Sequence, residues 1–159
     1  MTIEPNLEPL NRLVGTWATT ATHPACPGLV VHGTAEITWL EGERFLIQRA
    51  RTDHADFPDS ISIIGVIGRD RAGDARGLGS DLATESRLSM SYFDSRGVSR
   101  IYEVSIDGGV WRLWRDAPGF SQRFTGTFAE SGDTIAGRWQ VCEDDVHWKG
   151  DVEIDYRRR

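Results

Sequence analysis

Residues 100–128 read RIYEVSIDGGVWRLWRDAPGFSQRFTGTF, and this stretch decides the fold. It contains three segments in which apolar and polar residues alternate with a period of two, as in a β-strand with one buried face. Residues 107–109 (DGG) separate the first segment from the second, and residues 117–119 (APG) separate the second from the third. Glycine and proline in such positions are typical of the tight turns of β-hairpins. The stretch therefore predicts three consecutive antiparallel strands.

The same alternation continues in both directions along the chain, and most of the segments are joined by short turns. Further strands are predicted after Gly15, at 31–39, 45–51, 61–67 and 88–92, and at 135–141 and 148–156. A meander of this length removes its exposed edges by closing into a barrel or by folding into two stacked sheets. We predict an all-β fold, an antiparallel up-and-down barrel of about 8–10 strands with room inside for one small ligand. Residues 1–159 form one domain in this interpretation.

Two segments fall outside the strand pattern. A helical spacing of leucines between residues 6 and 14 predicts one short N-terminal helix, capped by Asn6 and ended by Gly15. Residues 70–85 are rich in Gly, Asp, Ala and Ser, which predicts a long, mobile loop.

The composition limits the partners of the protein. A net charge of −6 argues against nucleic-acid binding. No apolar run reaches the roughly 18 residues of a membrane span, and Met1 to Asn6 lacks the basic start of a signal peptide. We therefore predict a cytoplasmic protein, in which Cys26 and Cys142 are free thiols. A homodimer through an exposed apolar edge strand is left open.

The opening of the first strand resembles a known superfamily. Gly15-Thr16-Trp17 directly after a short helix is similar to the Gly-x-Trp signature of the lipocalin-like (calycin) barrels, in which the tryptophan closes one end. The run YFDSRGV at 92–98, with Trp111, Phe120 and the Trp139 strand, resembles an uncharacterised bacterial family of this kind, the DUF1579-like group. The resemblance covers nearly the whole chain and implies a fold rather than an activity.

Two other calycin families bear on function. Nitrobindin-like haem proteins share the Gly-x-Trp opening and ligate haem iron with a histidine on a late strand, whereas the last strand here has none and His147 only precedes it. Fatty-acid-binding proteins, which are also calycins, bind a carboxylate with an Arg-plus-Tyr arrangement. We predict no cofactor and no metal site, because His23-x-x-Cys26 offers too few ligands.

Several arginines share a strand face with apolar residues, where an unpaired guanidinium is costly to bury. Two or more of them would satisfy a carboxylate of an anionic ligand, since the planar guanidinium pairs bidentately with it. Alternatively, they lie at strand ends and reach water or loop acids such as Asp53 and Asp116. Aromatic residues on the same faces would line the pocket, or simply pack the core. The predicted ligand-binding residues are Arg49, Arg51, Tyr92, Arg100, Tyr102, Trp111, Arg115, Gln122 and Phe124.

Three functions remain open from the sequence. The first is binding of a small hydrophobic or amphipathic molecule inside the barrel, with an anionic molecule as one option. The second is an enzyme such as a cyclase or isomerase acting in the same cavity, which needs few signature residues. The third is a haem or nitric-oxide-handling protein. Acid–base use of His32 with Glu36, or of His54 at the barrel mouth, is a further hypothesis.

Overall fold

A computed structural model describes residues 6–66 and 87–159, which form a closed barrel of ten antiparallel strands. Each strand pairs with its neighbours in sequence, and the first strand also pairs with the last, with Trp17 opposite Arg158. The predicted all-β barrel is therefore confirmed, and the alternative of two stacked sheets is wrong. The strands are β1 (Gly15–Thr22), β2 (Val31–Trp39), β3 (Phe45–Thr52), β4 (Ser60–Val66), β5 (Leu88–Asp94), β6 (Ser99–Asp107), β7 (Val110–Arg115), β8 (Ser121–Phe128), β9 (Thr134–Cys142) and β10 (Trp148–Arg158).

The N-terminal helix differs from its prediction in type and start. It is a 3₁₀ helix over Glu8–Leu13, preceded by Leu7, and Asn6 does not cap it. A six-residue helix contributes little by itself, so tertiary packing holds it: Leu7, Leu10 and Leu13 are fully buried. The predicted loop at 70–85 and the end of the strand predicted to reach Ile67 lie outside the described residues.

One end of the barrel is closed by this helix and by Trp17. The Trp17 side chain is fully buried, and its Nε1 donates a 2.8 Å hydrogen bond to the carbonyl of Leu13. That bond satisfies an orphan carbonyl of the last helical turn and ties the helix to β1. Arg158 from the last strand lies over the Trp17 ring at 4.2 Å and donates to the carbonyl of Val14. Trp17 and the three leucines of the helix are thus fully buried at the closed end.

The inner face was predicted correctly for β6, β7 and β8 and wrongly for β3. On β3 and β4 the buried residues are Leu46, Ser62 and Ile64, so the face carrying Ile47 and Arg49 points outward. Both faces of these two strands carry apolar residues, and alternation alone does not tell which one is inside. No helix within the described ranges is both long and apolar enough to cross a membrane. Cys26 is exposed and Cys142 buried, and both are free.

Candidate functional site

A continuous column of aromatic rings occupies the barrel interior. Neighbouring ring centroids lie 5.0 to 6.4 Å apart, mostly edge to face, the geometry that aromatic pairs prefer. Trp111 and Phe124, both predicted pocket residues, lie in the middle of the column and are 2% exposed. They pack the core. From the closed end to the mouth the column runs through Trp17, Tyr156, Trp111, Phe124, Trp139, Tyr102 and Tyr92.

A buried polar pair lies near the top of the column. Tyr102 on β6 donates a 2.9 Å hydrogen bond from its Oη to Oε1 of Gln122 on β8. Both residues are almost fully covered, at 2% and 5% exposure. Because buried polar groups are costly unless they are paired, this bond fixes the two side chains. The sequence predicted both residues as inward, and the structure brings them together.

Two arginines flank this pair at the mouth. Arg100 precedes Tyr102 by two residues on β6, and Arg115 pairs with Gln122 across β7 and β8. Both are partly buried. Within residues 6–66 and 87–159 neither forms an ion pair with an acid: Arg100 lies over the Phe120 ring at 5.1 Å, and Arg115 makes a long 3.5 Å contact to the Phe120 carbonyl.

The charges of these arginines act on the buried phenol. Burial raises the pKa of Tyr102, Arg100 and Arg115 act in the opposite direction, and Asp151 adds to the increase. The phenol therefore stays protonated at neutral pH and donates its hydrogen bond. In the described ranges, the positive charge at the mouth that no acid pairs is that of the two arginines.

Tyr92 lies at the rim and is committed to a different partner. Its Oη donates to Asp94 over 2.9 Å, and Arg96 pairs with the same carboxylate at 2.7 Å. Burial, with the bond to Asp94, raises the pKa of Tyr92, while the hydrogen bond from Arg96 holds the pKa of Asp94 well below its usual range. This arrangement positions the turn after β5 and leaves only the ring of Tyr92 facing the column.

The opposite side of the mouth carries a pair that the sequence did not predict. His23 Nε2 lies 2.8 Å from Asp151 Oδ1, joining the loop after β1 to β10. The pairing of β10 with β9 is irregular between Gly150 and Glu153. Alternation placed Asp151 on the outer face with Glu153, but such a bulge interrupts alternation. The Asp151 side chain is accordingly only 22% exposed.

Arg49 and Arg51 do not belong to this cluster. Both are exposed on the outer face of β3, where they pair in register with Glu36 and Thr34 of β2. Their expected inward orientation is corrected, for the reason given above for β3. Of the predicted residues, the structure brings together Tyr102, Gln122, Arg100 and Arg115 at the mouth, with Tyr92 beside them.

Three cavities are prominent on the surface of the described part of the protein. The largest, about 630 Å³, lies across β5, β6 and β7 and includes Arg100 and Arg115 among its walls. A second, about 450 Å³, lies beside the His23–Asp151 pair and reaches Trp139. The third, about 550 Å³, lies near Leu88 and Trp114. The largest has the size of small-molecule sites and contacts the arginine cluster.

Comparison with known proteins adds the fold and no activity. No family profile matches the chain, and no curated protein sequence matches it. Among solved structures, Rv2717c from M. tuberculosis is similar, with a TM-score of 0.63, 12% sequence identity and 99% of each chain covered. At this identity the likeness shows that the two chains share a fold over their whole length.

Proposed function

We propose that this protein binds a small amphipathic anion at the open end of a lipocalin-like (calycin) barrel, with the acidic group held by Arg100 and Arg115. One observation supports the proposal above all: two partly buried guanidinium groups flank the buried Tyr102–Gln122 pair and have no acidic partner among the described residues. An anion would supply the partners that they lack, and guanidinium groups bind carboxylates in two parallel hydrogen bonds.

Tyr102 and Gln122 would position the arginines rather than bind the ligand directly. Their mutual hydrogen bond uses the phenolic proton and an amide oxygen. We also propose that the protein is cytoplasmic. Membership of the DUF1579-like group stays a prediction, because no family profile matches the chain.

The haem alternative has weaker support because no histidine offers a free nitrogen to the interior. All four histidines lie within the described residues. Both ring nitrogens of His23 are engaged, with Asp151 and with the amide of Ala25. His32 and His147 are exposed, and His54 lies in a loop against Phe57.

The test uses dodecanoate as the probe and dodecanol as its uncharged match, with affinities measured by calorimetry. We expect dodecanoate to bind at least about tenfold more tightly, because a charge-assisted hydrogen bond is worth about 1.5–3 kcal/mol. Arg100→Gln and Arg115→Gln should each remove about tenfold of dodecanoate affinity. Arg112→Gln is the matched control, since Arg112 is exposed on the outer face of β7.

Equal affinities for the acid and the alcohol would contradict the proposal. So would arginine variants that keep the circular dichroism spectrum and the dodecanoate affinity of the wild type.

A further inference from the structure

The barrel wall has a notch between β6 and β7 at the mouth. The two strands pair from Asp107–Val110 to Glu103–Trp114, and their register ends there. The first residues of β6 continue toward the mouth, where they pair with β5 on one side only, as Ser99 does with Phe93. After Arg115 the chain turns away from β6. We call this opening, bounded by β6 residues 99–102 and β7 residues 114–115, the notch.

The largest cavity of about 630 Å³ lies at the notch and joins two kinds of surface. Its outer wall includes the apolar side chains of Phe93, Ile101 and Trp114, together with Ser91, Ser99 and Glu103. Ile101 is 67% exposed and Phe93 45% exposed, so both present large apolar side chains to water. Such exposed patches on a soluble protein mark interaction sites. The inner end of the same cavity is formed by Arg100 and Arg115.

The charges around the notch favour an anion at its inner end. Glu103 on the outer wall lies 3.7 Å from Arg87, which offsets part of its charge. Asp116 is exposed at the lip, where water screens it. The arginines are more deeply placed than either acid, in surroundings that strengthen their charge.

The space beneath the arginines is already filled. Tyr102, Gln122 and Phe124 are almost fully covered by their neighbours, and Trp139 in the same column is half-buried. Within residues 6–66 and 87–159, a ligand bound to the arginines would find little exposed apolar surface further down the axis. The exposed apolar surface next to them is the outer wall of the notch.

We propose that the apolar part of the ligand lies in the notch, against Ile101, Phe93 and Trp114, outside the barrel rather than along its axis. This inference rests on the proposed function, which supplies the anionic end. The ligand class is an amphipathic carboxylate with an alkyl or aryl tail. Its acidic group reaches through the wall to Arg100 and Arg115, and its tail covers the apolar patch.

The experiment compares dodecanoate with hexanoate on Ile101→Ser, using Val146→Ser as the control. Val146 is 71% exposed and lies in the loop before β10, away from the notch, so both changes remove an exposed apolar side chain. We expect Ile101→Ser to weaken dodecanoate binding about fivefold through lost apolar contact. The affinity ratio of dodecanoate to hexanoate should fall as well, and Val146→Ser should leave both unchanged.

Three outcomes separate the inference from the function on which it rests. Loss of affinity in Ile101→Ser and in the two arginine variants supports both. If the arginine variants lose affinity but Ile101→Ser binds dodecanoate like the wild type, the tail does not lie in the notch, and the proposed anion site stands. Wild-type binding by all three variants overturns both.

Discussion

The Tyr102–Gln122 pair gives the sharpest prediction, because both side chains are buried and they satisfy each other over 2.9 Å. The perturbation is a double-mutant cycle of Tyr102→Phe, Gln122→Leu and the double variant. Tyr102→Phe removes only the phenolic oxygen and leaves the amide of Gln122 without its donor. Gln122→Leu keeps the approximate volume and leaves the phenol without its acceptor.

The magnitude follows from the burial of both groups. At 2% and 5% exposure, water does not reach the abandoned partner without opening the barrel. Each single variant should therefore lose about 1–3 kcal/mol of the free energy of unfolding. Replacing both partners by apolar groups removes the unpaired atom altogether, so the double variant should lose less than the sum, by about 1–2 kcal/mol.

The assay is urea unfolding followed by tryptophan fluorescence at neutral pH. With slopes of about 1–3 kcal/mol/M, each single change should lower the midpoint by about 1 M. Gln140→Leu is the control, because Gln140 accepts its bond from Arg123 at the exposed outer face, where water replaces it. Additive losses in the cycle would refute the reasoning, since they would mean that the two groups do not depend on each other.

Two further predictions concern the rim and the core. Arg96 holds the pKa of Asp94 low in the folded state. The ionised Asp94 therefore contributes to the free energy of unfolding above about pH 4, the range of an unperturbed carboxyl. This contribution is lost as the pH falls through the folded-state pKa of Asp94. Asp94→Asn should then be less stable than the wild type at pH 7, with the gap in urea midpoint closing towards pH 2; a constant gap would contradict this. Gly137→Ala would place its Cβ 2.6 Å from the carbonyl oxygen of Ile154, and we expect a loss of about 1–3 kcal/mol in urea unfolding. A Cβ added at Gly150 meets nothing within 4 Å, so Gly150→Ala should leave the free energy of unfolding unchanged. Equal stability of the two variants would contradict this prediction.

The sequence predicted the site best where one face of a strand is polar and the other apolar. On β8, Gln122 and Phe124 alternate with Arg123 and Thr125, so only one orientation buries apolar surface, and the structure has that orientation. On β3 the alternation is between Leu46 and Ile47, two residues of equal hydrophobicity. Only closure of the barrel decides between them, and closure is a property of all ten strands at once.

Long-range features could not be read from the sequence. The His23–Asp151 pair joins residues 128 apart and depends on the irregular pairing of β10. The notch exists because β6 extends further toward the mouth than β7 does, and this difference depends on the register of the two strands. A strand's length can be estimated from its pattern only to within a few residues, whereas the notch is a difference of that size.

The distribution of polarity along the axis explains how the barrel tolerates two arginines that have no acidic partner in the described part of the chain. Trp17, the helix leucines and the lower part of the aromatic column bury apolar surface at the closed end, and this burial is the main source of stability. Arg100 and Arg115 lie at the other end, only partly buried, so water solvates them when no ligand is present. When an anion binds, the guanidinium groups lose hydrogen bonds to water and gain hydrogen bonds to the anion. The net contribution of the charges to the binding free energy is therefore modest. Because that contribution is modest, the apolar wall of the notch must contribute a substantial part of the affinity, and a short acid such as hexanoate should bind far more weakly than dodecanoate.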